Sequence, residues 1–408
     1  MTEAGGRRLK RGPLSKEGQD FNALYRDHLQ GEFYGADYYR PPSSDIDSAI
    51  IYDDNEDKRT ASAFADLVFG PGRVLEVGCA TGLLIKALRG RGLEAEGIDY
   101  SPWCVDKAHP AAREWVRWGD VLDPESLGKG YDLVLALDIF EHLPPDFVPR
   151  ALANLAGALV SRGFLFTVLP AYGPNAFGPE LYPLHLEEWR RDAALGIPFR
   201  NIPLDDKGRP HLGHLTHAAV PWWMEQFRRA GFVRLGGIER LLHERFDAAF
   251  EPPRRSFFLF VRGGFLAARS AERRLRRRID KIPNLPGGFY EWERWGESWV
   301  RWTGEKARDV VERGEKKELR LRAVCHHPGI EKSPVRVVFS VGGLERLTIE
   351  LSDRDWHEVR LPLPERPFVE WEISCSRTWS PEESLPSELR RHLGVAIEIL
   401  PSTFRIRT

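Results

Sequence analysis

A run of small residues, Val74-Leu75-Glu76-Val77-Gly78-Cys79-Ala80-Thr81-Gly82, joins an apolar stretch to a helical one. Residues without bulk at such a turn let a ligand approach the backbone closely. The spacing is Glu-x-Gly-x-x-x-Gly with an acid ahead of the loop, not the GxGxxG that rests a pyrophosphate on a helix. A carboxylate at Glu76 suits an amine or ammonium rather than a phosphate. Asp99 closes the second strand, where an acid accepts hydrogen bonds from two ribose hydroxyls. Gly119-Asp120-Val121 follows a third apolar patch, and Asp120 there can accept from an adenine amino group. A phosphate-free aminoacyl-adenosine meets all three demands.

With these residues in place, the stretch from Tyr38 to Arg262 resembles the class I S-adenosylmethionine-dependent methyltransferases. The resemblance implies a Rossmann-like α/β domain with a mostly parallel seven-stranded sheet, and S-adenosyl-L-methionine as cofactor with S-adenosyl-L-homocysteine as product. It places Glu76, Gly78, Cys79, Ala80 and Gly82 against the methionine moiety, Asp99 and Tyr100 at the ribose, and Asp120 and Val121 at the adenine. Leu137, Asp138 and His142 close the cofactor pocket in the same reading. Ala80 departs from the pattern, since many members carry glycine there.

Methyl transfer is a displacement at a sulfonium carbon, so positioning supplies most of the catalysis. A hydroxyl acceptor also needs a base, and histidine serves near neutral pH. Two places offer one. Leu137-Asp138-Ile139-Phe140-Glu141-His142-Leu143 leaves the fourth strand at the carboxyl edge of the sheet, where open α/β folds bind ligands. Its acid-x-x-Glu-His order is similar to one in quinone O-methyltransferases, where such residues are linked to a divalent cation. That resemblance offers Asp138, Glu141 and His142 as metal ligands. The bland reading keeps Asp138 on the cofactor pocket and His142 packed beneath it. The second place is the run from Asp205 to His217, with His211, His214 and His217 three apart among Gly and Pro. A zinc site there would need a fourth ligand and gains no support from nearby cysteines. His214 is the preferred base, then His142, with His211 as the further candidate and His185 in reserve. This segment, Pro170-Ala171-Tyr172-Gly173-Pro174-Asn175 and Trp222-Trp223 resemble methyltransferases of bacterial surface-polysaccharide clusters.

The elements that must hold these residues are legible as well. Short apolar runs alternate with helix-like stretches from Leu67 to Arg262, the rhythm of a parallel α/β sheet. Strands are expected at Arg73–Val77, Ala95–Asp99, Leu133–Leu137, Phe164–Val168 and Phe257–Val261. Residues 170–220 read as an acceptor-binding insertion. Leu266–Lys281 is helical and very basic, with Arg269, Arg273, Arg274, Arg276, Arg277, Arg278 and Lys281 against Glu272 and Asp280. A Trp-rich passage with Trp292, Trp295, Trp299 and Trp302 follows. The chain then alternates with period two, as in Leu319-Leu321-Ala323 and Val335-Val337-Phe339, which argues for an antiparallel β-sandwich. The expected division is a mobile basic tail over 1–20, the methyltransferase domain over 21–262, a basic helix and Trp-rich linker over 263–300, and the sandwich over 301–408. Through Trp356, Trp371, Trp379-Ser380-Pro381 and Arg390-Arg391-His392-Leu393-Gly394-Val395 the sandwich resembles accessory domains of bacterial glycan-biosynthesis enzymes.

A chain of 408 residues exceeds one domain at roughly 100–200 residues each. Lys+Arg at 59 against Asp+Glu at 60 leaves a net charge of -1, which argues against a nucleic-acid partner. Cys79, Cys104, Cys325 and Cys375 form no CxxC pair, which suits a reducing, cytoplasmic setting. Arg7, Arg8, Lys10 and Arg11 precede no apolar run, so no signal peptide is expected. Residues 266–281 either lie at the inner membrane face, on Leu266, Leu275 and Ile279, or pack between domains. The activity expected is methyl transfer to a sugar hydroxyl on a nucleotide, lipid or nascent polysaccharide. Its rivals are a quinone-like or other small-molecule O-methyltransferase, with a compact apolar pocket, and a non-catalytic glycan-binding scaffold.

Overall fold

The computed structural model describes residue 14 and residues 20–28, 33–35, 38–39, 56–250, 255–381 and 391–400. The expected mobile tail over 1–20 lies outside them except for Leu14 and Asp20. The first sheet is built from β1 (Arg73–Val77), β2 (Glu94–Asp99), β3 (Val116–Trp118), β4 (Tyr131–Leu137) and β5 (Leu159–Val168). The short β6 (Ala171–Tyr172) and β7 (Ala218–Ala219) pair with each other, and β8 (Phe232–Arg234) and β9 (Phe257–Arg262) complete the large sheet. It has seven strands in the order β3-β2-β1-β4-β5-β9-β8. β1 runs parallel to β2 and β4, whereas β9 is antiparallel to both β5 and β8.

Helices α1 (Phe21–His28), α2 (Glu56–Phe64), α3 (Leu83–Gly90), α4 (Pro102–Asp106) and α5 (Pro124–Leu127) fall in the first half. α6 (Val148–Ala158), α7 (Glu187–Ala194), α8 (Val220–Arg229), α9 (Gly236–Phe246) and α10 (Phe265–Ile279) follow. The central strands are apolar on both sides because helices cover both faces. Leu84, Leu88, Leu135, Phe166 and Leu259 pack with α9 and α10 on one face. Leu75, Val134, Leu165 and Phe258 pack with α6 and α8 on the other. β1 is where strand order reverses, so a crevice opens at the carboxyl ends of β1 and β4.

The second sheet comprises β10 (Gly287–Trp295), β11 (Ser298–Glu312), β12 (Glu318–Val324), β13 (Val335–Val341), β14 (Leu344–Leu351), β15 (His357–Pro362), β16 (Phe368–Cys375) and β17 (Ala396–Ile399). It is antiparallel in the order β14-β13-β16-β11-β17-β12-β15, with β10 on β11. It curls nearly into a barrel around Leu321, Val337, Phe339, Leu361, Trp371 and Ile373. Trp371 belongs to this core, while Trp356 and Trp379 pack with Trp295 and Trp302 in a smaller aromatic cluster. The Trp-rich stretch that reads as linker is in fact β10 and the start of β11. The hairpin between them is a two-residue turn at Gly296-Glu297, with Trp295 opposite Ser298 and Gly296 at φ 62°.

The two sheets are joined by buried charge and aromatic packing. Arg91, at the end of α3, reaches Asp66 at 2.9 Å and Asp309 of β11 at 3.3 Å. Arg301 also pairs with Asp309, and its guanidinium lies 3.6 Å from the Phe289 ring centroid. The last residue of α3 is Gly90, where a Cβ would come 2.4 Å from the Trp292 ring.

Candidate functional site

The crevice at the switch point is a cavity of about 560 Å³, within the range of small-molecule sites. Of the residues expected at the cofactor, Glu76, Gly78, Ala80, Asp99, Tyr100, Asp120, Val121, Leu137, Asp138 and His142 line it. Cys79 and Gly82 do not. The Cys79 side chain turns under the sheet, where a Cβ on Gly97 would meet its sulfur at 2.6 Å. Gly82 has φ 78°, and a Cβ there would fall 2.5 Å from Val116. Its glycine is therefore demanded by packing against β3, not by contact with the cavity.

The loop is held in strained backbone. Gly78 sits at φ 71°, with Ile139 so close that any side chain would collide at 2.0 Å. Ala80 has φ 47°, Asp138 φ 56° and Leu212 φ 54°, all in the left-handed region that L side chains disfavour. All three line the cavity; the remaining non-glycine of this kind among the described residues, Arg162, does not. Strain of this sort persists where surrounding structure over-determines it, commonly at functional sites.

Asp99 ends β2 with its carboxylate split between two backbone donors. One oxygen accepts from Ala80 N at 2.7 Å and the other from Ser101 N at 2.8 Å. It thus fixes the glycine loop from the neighbouring strand. Burial raises its carboxyl above the ordinary range, and those two donors oppose the rise. Ser101 caps α4 and donates its hydroxyl to Tyr34 O at 2.7 Å, fastening the N-terminal aromatic segment over the crevice.

The histidine motifs meet through Glu141. Its carbonyl accepts from Leu215 N at 2.6 Å and Thr216 N at 2.9 Å, and the Thr216 hydroxyl donates to Leu143 O. This stitches the segment after β4 to the His-rich segment and places His142 and His214 side by side, both on the cavity. His142 Nδ1 lies 3.3 Å from Gly213 O and 3.1 Å from the Tyr34 hydroxyl. A carbonyl can only accept, so in the tautomer where Nδ1 donates to Gly213 O the lone pair is left on Nε2. Burial lowers His142 to about 4, and lowers His214 well below its ordinary value.

The other histidines are placed differently. His217 is buried beneath the cavity wall, its Nδ1 3.1 Å from the Tyr172 hydroxyl. His211 and the exposed His185 do not line the cavity. The grouping offered for a cation, Asp138 with Glu141 and His142, is not the one brought together. Among the described residues the donor atoms of Glu141, His142 and His214 lie within 4.8 Å of one another. Asp138 is not in that group, although its carboxylate is near enough to act on the His142 charge.

Tyr25, Tyr34, Tyr38, Tyr39 and Lys58 also line the cavity and were not singled out from sequence. The tyrosines come from the segment ahead of the sheet, where nothing in the spacing marks them. Lys58 is only 9% exposed, yet in sequence it stands in the charged run Glu56-Asp57-Lys58-Arg59, which reads as a solvated helix face.

Residues 52–245 match a family described as a methyltransferase domain. Ubiquinone biosynthesis O-methyltransferase of Pseudomonas savastanoi pv. phaseolicola (strain 1448A / Race 6) is 28% identical over 151 residues, 31% of this chain and 65% of that protein. Magnesium-protoporphyrin O-methyltransferase of Rhodobacter capsulatus is 35% identical over 104 residues, 24% of this chain and 45% of that protein. The ubiquinone biosynthesis enzyme of Marinobacter nauticus (strain ATCC 700491 / DSM 11845 / VT8) is 33% identical over 138 residues, 29% of this chain and 56% of that protein. The chain thus spans less than two thirds of the length of these curated relatives. Residues 52–245, just under half of the chain, thus match a methyltransferase domain, and the strand order of the first sheet with the glycine loop at its switch point is the Rossmann-like arrangement.

Proposed function

We propose that the chain is an S-adenosylmethionine-dependent O-methyltransferase whose acceptor hydroxyl enters beside His214. The observation that carries this is the placement of two histidines, both lowered by burial, on the cavity that the glycine loop opens into. The residues present suit the cofactor. Asp99 and Tyr100 would hold the ribose, Asp120 and Val121 the adenine, and Glu76 the ammonium. Lys58 is a cation for the carboxylate of the same amino-acid tail. Leu137 and Asp138 close the wall next to the reacting centre.

When bound, S-adenosylmethionine supplies a methyl carbon that leaves sulfur with the bonding pair going to sulfur. The chain's own contribution is to hold the acceptor oxygen in line with that carbon and to take its proton. His214 is the base in this reading. Its ring makes no hydrogen bond with another described residue, whereas His142 is anchored through Nδ1 to Gly213. Each is neutral at pH 7, so each can accept a proton. The tyrosine segment over the crevice excludes water, which strengthens every polar contact inside.

The walls support one acceptor class. Beyond the cofactor residues the cavity is bounded by Tyr34, Tyr38, Phe166, Pro170, Tyr182, Leu212 and Phe250. These suit a small molecule with a flat or apolar body carrying one hydroxyl. The curated relatives named for ubiquinone biosynthesis and magnesium-protoporphyrin favour the same class. A sugar hydroxyl on a surface glycan is the second reading. It is supported by the resemblance of the His-rich segment and by the tyrosines, since aromatic faces stack on sugar rings. The test is incubation with labelled S-adenosylmethionine against phenolic acceptors and a glycan array, with the methyl ether located by mass spectrometry. S-adenosylhomocysteine binding without turnover on any acceptor would leave a non-catalytic scaffold.

A further inference from the structure

We infer that α10 docks this protein on an anionic lipid bilayer, with Phe265 and Leu266 entering the interface and an arginine stripe facing the headgroups. The helix is two-sided. Ala268, Ala271, Leu275 and Ile279 are buried against the methyltransferase domain, so Leu275 and Ile279 cannot serve the membrane. Leu266, on the opposite side, is 80% exposed, and Phe265, on the flank at the helix start, is 70% exposed; these are the two most exposed large apolar side chains among the described residues. At helical spacing Leu266 shares its outward stripe with Arg269, Arg273 and Arg277, all exposed. No ion pair with another described residue occupies these three arginines, and the one acid exposed on the helix flank is Asp280. In a chain of net charge -1, this is a local concentration of cations beside exposed apolar groups.

The surface beside the stripe is shaped as well as charged. A cavity of about 680 Å³ opens between α10 and the start of β16, lined by Arg273, Arg277, Lys281 and Phe368 among others. Its acid, Glu312, is already paired with Arg278 at 2.7 Å. A basic amphipathic helix with apolar groups at one end is the kind that lies in the plane of a bilayer surface. A polyanion would satisfy the arginines but leave Phe265 and Leu266 in water, which is why a lipid surface is the better occupant. Topology also fixes the orientation. β9 runs antiparallel to β5, so α10 begins at the edge of the sheet opposite the one that opens into the cofactor cavity. A docked molecule would keep that cavity away from the bilayer.

The test is co-sedimentation of the full chain with vesicles of phosphatidylcholine, and of phosphatidylcholine mixed with phosphatidylglycerol. Binding to the mixed vesicles and not the neutral ones is expected, weakening as salt rises. Replacing both Arg273→Gln and Arg277→Gln should cost about 25-fold in partitioning, roughly fivefold per charge. Phe265→Ala with Leu266→Ala should cost about tenfold or more. All four side chains are exposed, so S-adenosylhomocysteine affinity serves as the folding control, and it should be the same on and off vesicles. Equal binding to neutral vesicles, indifference to the arginine pair, or binding of an oligonucleotide with none to vesicles would each overturn the inference.

Discussion

His142 and His214 meet edge to face with ring centroids 4.9 Å apart, although one follows β4 and the other follows the insertion after β5. The contact is built by backbone, through the Glu141 carbonyl and the amides of Leu215 and Thr216, so neither ring can move without the other segment. Two imidazoles this close cannot both be charged cheaply. Burial and mutual repulsion keep His214 neutral, and that is the state a base requires.

His214→Ala should therefore lower turnover by roughly 10²–10⁴-fold while S-adenosylhomocysteine affinity stays nearly constant. Because only neutral imidazole accepts a proton, the rate should rise with pH through an inflection well below the ordinary histidine range and be flat through neutrality. An inflection above about 6.5 would remove both histidines from the role. Loss of activity with a chelator, restored by a divalent cation, would instead make Glu141, His142 and His214 ligands, and then His142→Ala and His214→Ala should be equally damaging.

Asp99→Asn tests the ribose assignment. One of its oxygens must become an amide nitrogen, which cannot accept from a ribose hydroxyl, and the loop bond from Ala80 N or Ser101 N on that side is lost with it. Each hydrogen bond to a charged group contributes roughly 1.5–3 kcal/mol, so calorimetry should record about a 10- to 150-fold loss of S-adenosylhomocysteine affinity. Unchanged affinity with an intact fold would sink the assignment.

Much of this site was legible in sequence because cofactor recognition is local. Glu76, Gly78, Asp99 and Asp120 each sit at a strand end, and strand ends announce themselves by the apolar run before them. Lys58 and the tyrosines were not legible, since they reach the cavity from a segment whose spacing carries no chemistry. The role of Gly82 was misread for a related reason: its demand comes from Val116, a contact that only the folded sheet creates. The pairing of His214 with Glu141 and His142, in place of Asp138, depends on a long-range backbone stitch that no local pattern records. In the second sheet, period-two alternation marked β12 to β16 plainly. β10 and β11 were hidden because tryptophans occupy both faces, Trp292 and Trp299 turned to the methyltransferase domain and Trp295 and Trp302 to the small aromatic cluster.

The hidden strand has a consequence for dissection. β11 lies between β16 and β17 in the second sheet. A fragment beginning at Lys317 lacks it, leaving two half-sheets with unpaired edges. Such a fragment should be unfolded by circular dichroism. A folded, cooperative β-spectrum from residues 317–408 would contradict the strand order.

Asp309 holds the two sheets together from β11, between Arg91 and Arg301, each only a few per cent exposed. Paired Asp309 is held below the usual carboxylate range by both guanidinium groups, against the cost of burial. Asp309→Ala leaves two buried cations facing each other and should destabilise the chain by about 3–5 kcal/mol. Denaturant unfolding measures this directly. A loss under about 1 kcal/mol would mean that water or a shifted Asp66 takes over the pairing.

Acid stability should report the buried histidines. His142 and His217 are lowered to about 4 by burial, and His214 further. The unfolded chain takes up their protons near pH 6.5 while the folded chain does not, so the unfolded state binds more protons between these values. Their contribution is therefore fully present above about pH 6.5 and is lost as pH falls toward 4, by up to about 1.4 kcal/mol per pH unit for each histidine. Asp99 and Glu239, whose carboxyls burial raises, act in the opposite sense near the bottom of that window. Urea midpoints taken from about pH 7 down to about pH 5 should fall steadily. His217→Gln, which removes one buried imidazole outside the cavity, should flatten the slope by about a third of the three-histidine total. A midpoint independent of pH across that range would mean that the histidines are solvated, and would remove the neutral base from the proposed reaction.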